Sequence, residues 1–442
     1  VDKLFYIHFK RLLREFCRLN EGQAMLVEFR VKNFRSLRDE AVLNLVASRD
    51  KANETSNVKA TGNKSLPRLL RTAAIYGANA GGKSNLVRAI QLLRGIVNDS
   101  AILQAGQTFN VQPFRLDPVT SEQPIEYEIT FLLDNVRYQF GFTLTPTRIL
   151  SEWLIAYKST QPATWYERNF DESTQKYQYK FSAQLLGAKA VWSEATRENS
   201  LFLSTAVQLN SEQLLPIFSF ITKDLVIFEN GSGPIPEYTI SHIARHKADG
   251  VRELLSAADI SIADIQLKTQ QGFMGGMKLD LATGQFEPVS SEQREITVPT
   301  FEHRTGAGSA VFDFHDESEG TQKLFALAGP IFEILERGQV LIVDELDRSL
   351  HALLVRQLIG MFQNPGLNQK GAQLIFTTHD TSLLDGDLLR RDQIWFAEKD
   401  RDQASHLYPL SDFSPRKGEA LERGYLTGRY GGVPILRASR FQ

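Results

Sequence analysis

Residues 72–86 read TAAIYGANAGGKSNL: a short apolar run, a turn with three glycines, then a lysine and a serine at the head of an amphipathic helix. Few folds accommodate that succession. Gly77, Gly82, Lys83 and Ser84 occupy every fixed position of the pattern G-x-x-x-x-G-K-[ST], after a strand and before a helix. Glycines at those places let backbone N–H groups close around an anion, and the helix N-terminus adds its positive end. The stretch predicts a phosphate-binding loop in an α/β domain. Lys83 would place a point charge on the outer phosphates, and Ser84 would ligate Mg²⁺.

A phosphate loop of this kind needs a carboxylate elsewhere to hold the cation. The segment VLIVDELD supplies one, as four apolar residues form a buried strand ending at Asp344 with Glu345 beside it. Asp344 would hold Mg²⁺ through water, and Glu345 would polarise an attacking water. The pair lies roughly 260 residues beyond Lys83, a wide separation for a fold of about 150 residues. Just before the acidic strand, DESEGTQKLFAL opens a helix at Ser318 and Gly320, where an N-terminus would bind another phosphate or simply be capped. After it, LIFTTHD puts His379 at the C-terminal end of a strand, where ligands of α/β sheets collect.

Around these sites the chain alternates between two rhythms. LVEFRVKNF has period two and places Val27, Phe29 and Val31 on one buried face. SNLVRAIQLLRGIV puts Leu86, Ile90 and Leu93 on one helical face. Strand-like alternation dominates 125–182, with Asp134-Asn135 as a hairpin turn. The pattern turns helical and polar over 194–260, and short strands are expected near 262–270, 276–282 and 297–303. The last third returns to helix 318–337, strand 339–345, helix 350–363 and strands 372–378 and 393–398, a parallel α/β order.

Taken together, these residues resemble the ABC-type ATPase head of the RecF/SMC class. The resemblance is closer to one branch, the stand-alone AAA family ATPases of bacterial anti-phage modules of the RloA/AbiL type, with the Septu and PARIS ATPases as relatives. The segments carrying the resemblance are LVEFRVKNFRSL, YGANAGGKSNL, VQPFRLD, DESEGTQKL, LIVDELDRSLH, FTTHD and SDFSPRKGEALERGYLTGRYGGVP. It implies a P-loop NTPase fold with a large α+β insertion serving as a lid, and ATP and Mg²⁺ as cofactors. Gly77, Ala78, Asn79, Gly81, Gly82, Lys83, Ser84 and Asn85 would line the nucleotide, with Arg35 nearby. Gln112 would be the glutamine that reaches Mg²⁺ beside Ser84 and Asp344. Ser318, Gly320 and Thr321 would form the signature that meets the γ-phosphate held by a second protomer. Glu345 would be the base, and His379 would contact the γ-phosphate. The signature reads ESEGT where transporters have LSGGQ, and His351 stands where many relatives carry aspartate.

The expected division is a leader over 1–24, an N-terminal head lobe over 25–110, β-rich strands and a helical insertion over 111–300, and a C-terminal lobe over 301–442. Apolar content of 42% and charged content of 23% suit a globular chain, and a net charge of −2 gives no global pull toward nucleic acid. Cys17, the one cysteine, excludes an internal disulfide framework and fits a reducing, cytoplasmic setting. No apolar run approaches the roughly 20 residues that span a bilayer. The leader is expected to be poorly anchored; the competing reading is a basic amphipathic helix touching membrane or a partner.

Two functions follow from the resemblance. One is a dimerising, or higher-order, ATP-hydrolysing switch that controls a separately encoded nuclease or toxin effector in anti-phage defence. The other is a RecF-like repair ATPase that clamps DNA. About 60 residues follow His379, too few for an added nuclease domain of typical size. Nucleic acid remains a partner to consider, because aromatic strands (EYEITF, RYQFGF, TWYERN) interleave with Lys and Arg. The competing reading is a half-buried sheet.

Overall fold

The computed structural model describes residues 24–158, 161–229, 235–246, 248–257, 262–274, 277–279, 286–288, 292–416 and 418–433. The leader expected over 1–24, with Cys17, lies outside them apart from Ala24.

The alternating LVEFRVKNF segment lies in β1 (Ala24–Lys32), which pairs with the short β2 (Ala41–Asn44). A hairpin of β3 (Val58–Ala60) and β4 (Arg68–Leu70) precedes β5 (Thr72–Tyr76), all of whose residues are buried. Helix α1 (Lys83–Asp99) follows. Next come β6 (Ile125–Leu133), β7 (Val136–Leu144), β8 (Ile149–Tyr157), β9 (Ala163–Asp171) and β10 (Lys176–Phe181). These strands form one antiparallel sheet in the order β10-β9-β8-β7-β6-β1-β2. Asp134 and Asn135, both at positive φ (50° and 63°), make the predicted two-residue turn between β6 and β7.

One expectation about β1 needs correcting. A bulge at Val27, between the pairs Leu26–Phe131 and Glu28–Thr130, shifts the alternation by one residue. Leu26, Phe29 and Val31 enter the main core, whereas Val27 packs with Met25, Leu69 and Leu132 in a separate cluster. The aromatic strands also resolve one way. Tyr127, Phe131, Phe140, Phe142, Trp165 and Tyr166 are buried in the main core, so their rings form no stacking platform for bases.

Strands β11 (Leu225–Phe228), β17 (Val340–Val343), β18 (Gln373–Thr377), β19 (Ile394–Lys399) and β20 (Ser405–Pro409) join β5 in a second sheet. Its order is β11-β17-β18-β5-β19-β20, parallel except for β20. Leu86, Ile90 and Leu93 of α1 are buried as predicted and share one core with both sheets. The fold is of the α/β P-loop class. β11 was not expected; its four apolar residues, LVIF, sit in a stretch read as helical, and pairing with β17 decides their conformation.

Contacts divide the chain into two units: Val1–Ser232 with Ile334–Asp347 and Val355–Gln442, and Gly233–Glu333 with Arg348–Leu354. The boundaries drawn from sequence fall elsewhere, because β6 to β10 continue the sheet that β1 begins. The second unit is α+β. It holds α2 (Pro236–His246), α3 (Asp249–Ala257) and the sheet of β12 (Ile262–Met274), β15 (Glu292–Thr305) and β16 (Gly308–Asp313), with β13 (Met277–Leu279) and β14 (Phe286–Pro288) as a separate pair. It also takes in most of α4 (Glu319–Arg337). Pro330 cannot donate to the Ala326 carbonyl, and the Thr239 hydroxyl lies 3.2 Å from that oxygen and 2.6 Å from the Phe325 oxygen. The same hydroxyl accepts the Gly329 N–H at 2.9 Å, so Thr239 bridges the helix ladder at the turn that Pro330 interrupts. Among the described residues, no helix is long and apolar enough to cross a membrane.

Candidate nucleotide site

The chain leaves β5 through Gly77 and enters α1 through Gly82. Both positions require glycine. At Gly77 (φ 155°) a Cβ would lie 2.2 Å from the Ala397 carbonyl oxygen of β19; at Gly82 (φ 112°) it would lie 2.3 Å from Ser405 Oγ. No side chain caps α1, and among the described residues the N–H groups of Gly82, Lys83 and Ser84 make no backbone hydrogen bond. Those donors, with the positive end of a 17-residue helix, make a seat for an anion. Asn79 and Ala80 form the exposed crest of the loop, closed by a Gly81 N–H to Ala78 carbonyl bond of 3.0 Å.

Lys83 is only 5% exposed, and its Nζ donates to the carbonyls of Gly77 (2.7 Å) and Ala78 (3.2 Å). Burial lowers its pKa from the ordinary value, while Asp344, Glu345 and Asp347 pull it back up. The loop therefore holds a desolvated ammonium whose hydrogen bonds go to its own backbone.

Asp344 and Glu345 follow β17, which β18 separates from β5. The Thr377 hydroxyl donates to Asp344 Oδ1 at 2.7 Å and accepts the Glu345 N–H at 2.7 Å. Glu345 adopts a left-handed backbone (φ 55°), which turns the chain sharply after the strand. The His379 N–H donates to Asp347 Oδ2 at 3.3 Å, and Asp347 Oδ1 is buried without a partner among the described residues. Burial and then the Lys83 charge lower the His379 pKa, and the three carboxylates oppose them only in part. That shift favours the neutral imidazole, suited to hydrogen bonding rather than to charge pairing. Thr377 and Asp347 were not singled out in the sequence, although both lie within three residues of residues that were.

Arg35, Asn85 and Gln112 line one pocket of about 260 Å³, together with Ser36, Arg115 and Lys399. Arg35 is left-handed (φ 51°), and its N–H donates to the Gln112 carbonyl at 2.9 Å. Its Nε is buried without a partner among the described residues. Asn85 Nδ2 donates to Ser36 Oγ (2.7 Å), which also receives Ser405 Oγ (2.8 Å). Ser36 and Ser405 link residues hundreds of positions apart, and no local pattern marks them.

Ser318, Gly320 and Thr321 belong to the second unit. Ser318 Oγ accepts the Thr321 N–H at 3.2 Å and bonds its hydroxyl at 2.8 Å, so it caps α4. A Cβ on Gly320 would meet the Ser349 carbonyl at 3.3 Å, and Ser349 Oγ donates to Glu319 at 2.8 Å. His351 precedes α5 (Ala352–Gln363), and its Nδ1 accepts the Leu353 N–H at 3.3 Å, the bond a capping aspartate would make.

Among the described residues, no group of three or more His, Cys, Asp or Glu side chains forms a self-sufficient metal site. Ser84 and Asp344 nonetheless offer the hard oxygen donors that Mg²⁺ takes alongside phosphate and water. Thr377 engages the Oδ1 oxygen of Asp344.

A family model described as "AAA domain, putative AbiEii toxin, Type IV TA system" matches residues 73–385. No curated protein matches the chain. Among solved structures, the SMC head domain from Thermotoga maritima is 12% identical with a TM-score of 0.37, covering 87% of this chain and 98% of that one. An SmcHead bound to the C-winged helix domain of ScpA is 13% identical with a TM-score of 0.39, covering 88% and 99%.

Proposed function

The chain belongs to the AAA-domain family whose model spans its residues 73–385, and on that premise we propose that it binds and hydrolyses ATP as a dimeric switch. The observation that carries the reading is the buried Lys83 ammonium at the uncapped start of α1, with Asp344 and Glu345 ending a strand of the same sheet. The free N–H groups and Lys83 take the β and γ phosphates. Ser84 and Asp344 hold Mg²⁺, which when bound neutralises phosphate charge. Glu345 accepts the proton of the attacking water, and neutral His379 donates a hydrogen bond to the γ-phosphate. Arg35, Asn85 and Gln112 flank the nucleotide.

Ser318, Gly320 and Thr321 complete the site of a second copy, so ATP closes two protomers and hydrolysis releases them. The toxin–antitoxin wording of the family description supports a role in which this cycle restrains or releases a separately encoded nuclease or toxin in phage defence.

Lys83→Ala should abolish nucleotide binding. Glu345→Gln should bind ATP, fail to turn it over and accumulate as a dimer by mass. Wild-type turnover in Glu345→Gln would remove Glu345 from the role of base. For the cellular role, growth during phage challenge is compared with and without the neighbouring gene. Protection that is indifferent to Lys83→Ala would sink the switch reading.

A further inference from the structure

The C-terminal segment carries no assigned role, yet it is tied to both halves of the nucleotide site. After β20 the chain forms a short helix, α6 (Leu421–Leu426), then turns through Gly431 and Gly432, both left-handed (φ 67° and 66°). Tyr425 is buried, and its hydroxyl donates to the Gly432 carbonyl at 3.0 Å. Its ring stacks on Phe396 of β19 (5.4 Å, 14°) and meets Tyr76 edge-on (5.9 Å, 61°). Tyr76 is the last residue of β5, immediately before Gly77.

Gly432 itself lies against the phosphate loop: a Cβ built on it is 3.7 Å from the Gly77 Cα and 3.5 Å from Phe396. Gly431 is hemmed in more tightly, since a Cβ there would sit 2.4 Å from both Glu398 Oε2 and Tyr408 Oη. Tyr408 closes the turn by donating to Glu398 (2.7 Å) and to the Tyr430 carbonyl (3.1 Å). At its other end the segment reaches the histidine side, where Thr381 Oγ1 donates to Glu422 at 2.7 Å, two residues beyond His379. The Tyr76 hydroxyl is buried, and finds no hydrogen-bond partner among the described residues.

We infer that residues 421–432 form a clasp that sets the phosphate loop at Gly77, with Tyr425 and Gly432 as positioning residues for ATP binding. Neither touches nucleotide; each acts through Gly77 and Tyr76. The inference rests on the ATP-binding reading above and adds to it a second source of affinity, outside the loop's own sequence. The Gly432 turn packs against Gly77, and Tyr425 against Tyr76, so the clasp limits how far the start of the loop can shift toward it. ATP binding should therefore order the clasp as well as the loop.

Gly432→Ala probes backbone strain alone, because the space beside Gly432 allows ordinary contact for a methyl. Gly432→Val adds branches directed at Gly77 and Phe396, and Tyr425→Phe removes only the hydroxyl. ATP dissociation constants from a fluorescent analogue, kcat at saturating ATP and melting temperature are measured for each. The expected result is a Kd raised about 10-fold or more in Gly432→Val, on the scale of lost support for ligand-holding groups. Tyr425→Phe should show a smaller rise, with kcat at saturation retained in both. Hydrogen exchange over 421–433 should slow when ATP is added to wild type, and not in Lys83→Ala.

Variants that melt earlier but keep the wild-type Kd, or ATP-independent exchange in wild type, would overturn the clasp. If Lys83→Ala binds ATP like wild type, the nucleotide assignment fails instead. The two failures are therefore separable.

Discussion

The hydroxyl of Thr377 donates to Asp344 Oδ1 at 2.7 Å, and the same oxygen receives the N–H of Glu345 at 2.7 Å. One atom on β18 thus fixes both the carboxylate assigned to the cation and the backbone of the residue assigned to water.

Thr377→Val keeps the shape of the side chain and removes that atom. ATP affinity should change little, because the loop and Lys83 are untouched. kcat should fall about 10- to 100-fold, as when partners that orient ligand-holding groups are lost. Stability should drop by about 1–3 kcal/mol, since Asp344 Oδ1 loses its donor and the Glu345 N–H its acceptor. A steady-state assay with a denaturant melt checks both, and an unchanged kcat would show that the acidic pair holds itself.

Gly82→Ala should abolish nucleotide binding while leaving the rest of the sheet folded. The added methyl would stand 2.3 Å from Ser405 Oγ and 2.6 Å from Ser405 Cβ, at a φ of 112° that alanine resists. Pairing it with Ser405→Gly removes the collision but not the backbone strain, so binding should return only in part. Isothermal titration of the single and double variants distinguishes the two contributions; full binding by Gly82→Ala alone would contradict the packing.

Ser318 tests the closed dimer. Ser318→Ala should cost about 1 kcal/mol as a lost helix cap. Ser318→Arg should still bind ATP at Lys83 yet fail to dimerise or hydrolyse. Mixed with Lys83→Ala subunits, it leaves one intact composite site per heterodimer, so partial hydrolysis should reappear. Heterodimers confirmed by mass that show no recovery would sink the trans arrangement.

Acid stability should depend on Asp392. Burial pushes its carboxyl up, but hydrogen bonds from Arg390 (2.9 and 2.7 Å) and Ser48 (2.8 Å) outweigh that and leave it below the ordinary range. A depressed folded value means its contribution is full above the unfolded pKa of about 3.9 and lost as pH falls through the folded one. Thermal melts between pH 3 and 6 (roughly the window that brackets that value) should show wild type losing its advantage over Asp392→Asn at the acid end. Parallel curves would contradict the shift.

Much of the site was legible because its chemistry is local in sequence. Gly77 to Ser84 form a turn whose spacing alone dictates a phosphate seat, and VLIVDE reads as a buried strand with an acidic end. What escaped the reading depends on partners far along the chain. Val27 changes face because β6 imposes a bulge, and LVIF becomes β11 only beside β17. Ser405 has no signature of its own, yet Gly82 must be glycine partly because Ser405 stands against it. For the aromatic strands the sequence left two readings open, since alternation reveals that one face is buried but not which aromatics serve the core. The described rings of EYEITF, RYQFGF and TWYERN are buried, as the half-buried-sheet reading had it.

The order in which a ribosome delivers this chain gives those distant contacts a temporal meaning. Gly77 is packed by Ala397 and Gly82 by Ser405, and β5 gains its neighbours β18 and β19 only once residues 373–399 have been made. A nascent chain that has finished its phosphate loop therefore lacks the walls that shape it until those strands arrive. Synthesis proceeds at about 5–20 residues per second, so the interval lasts tens of seconds. The final shape of the loop is then set late, by strands made long after it.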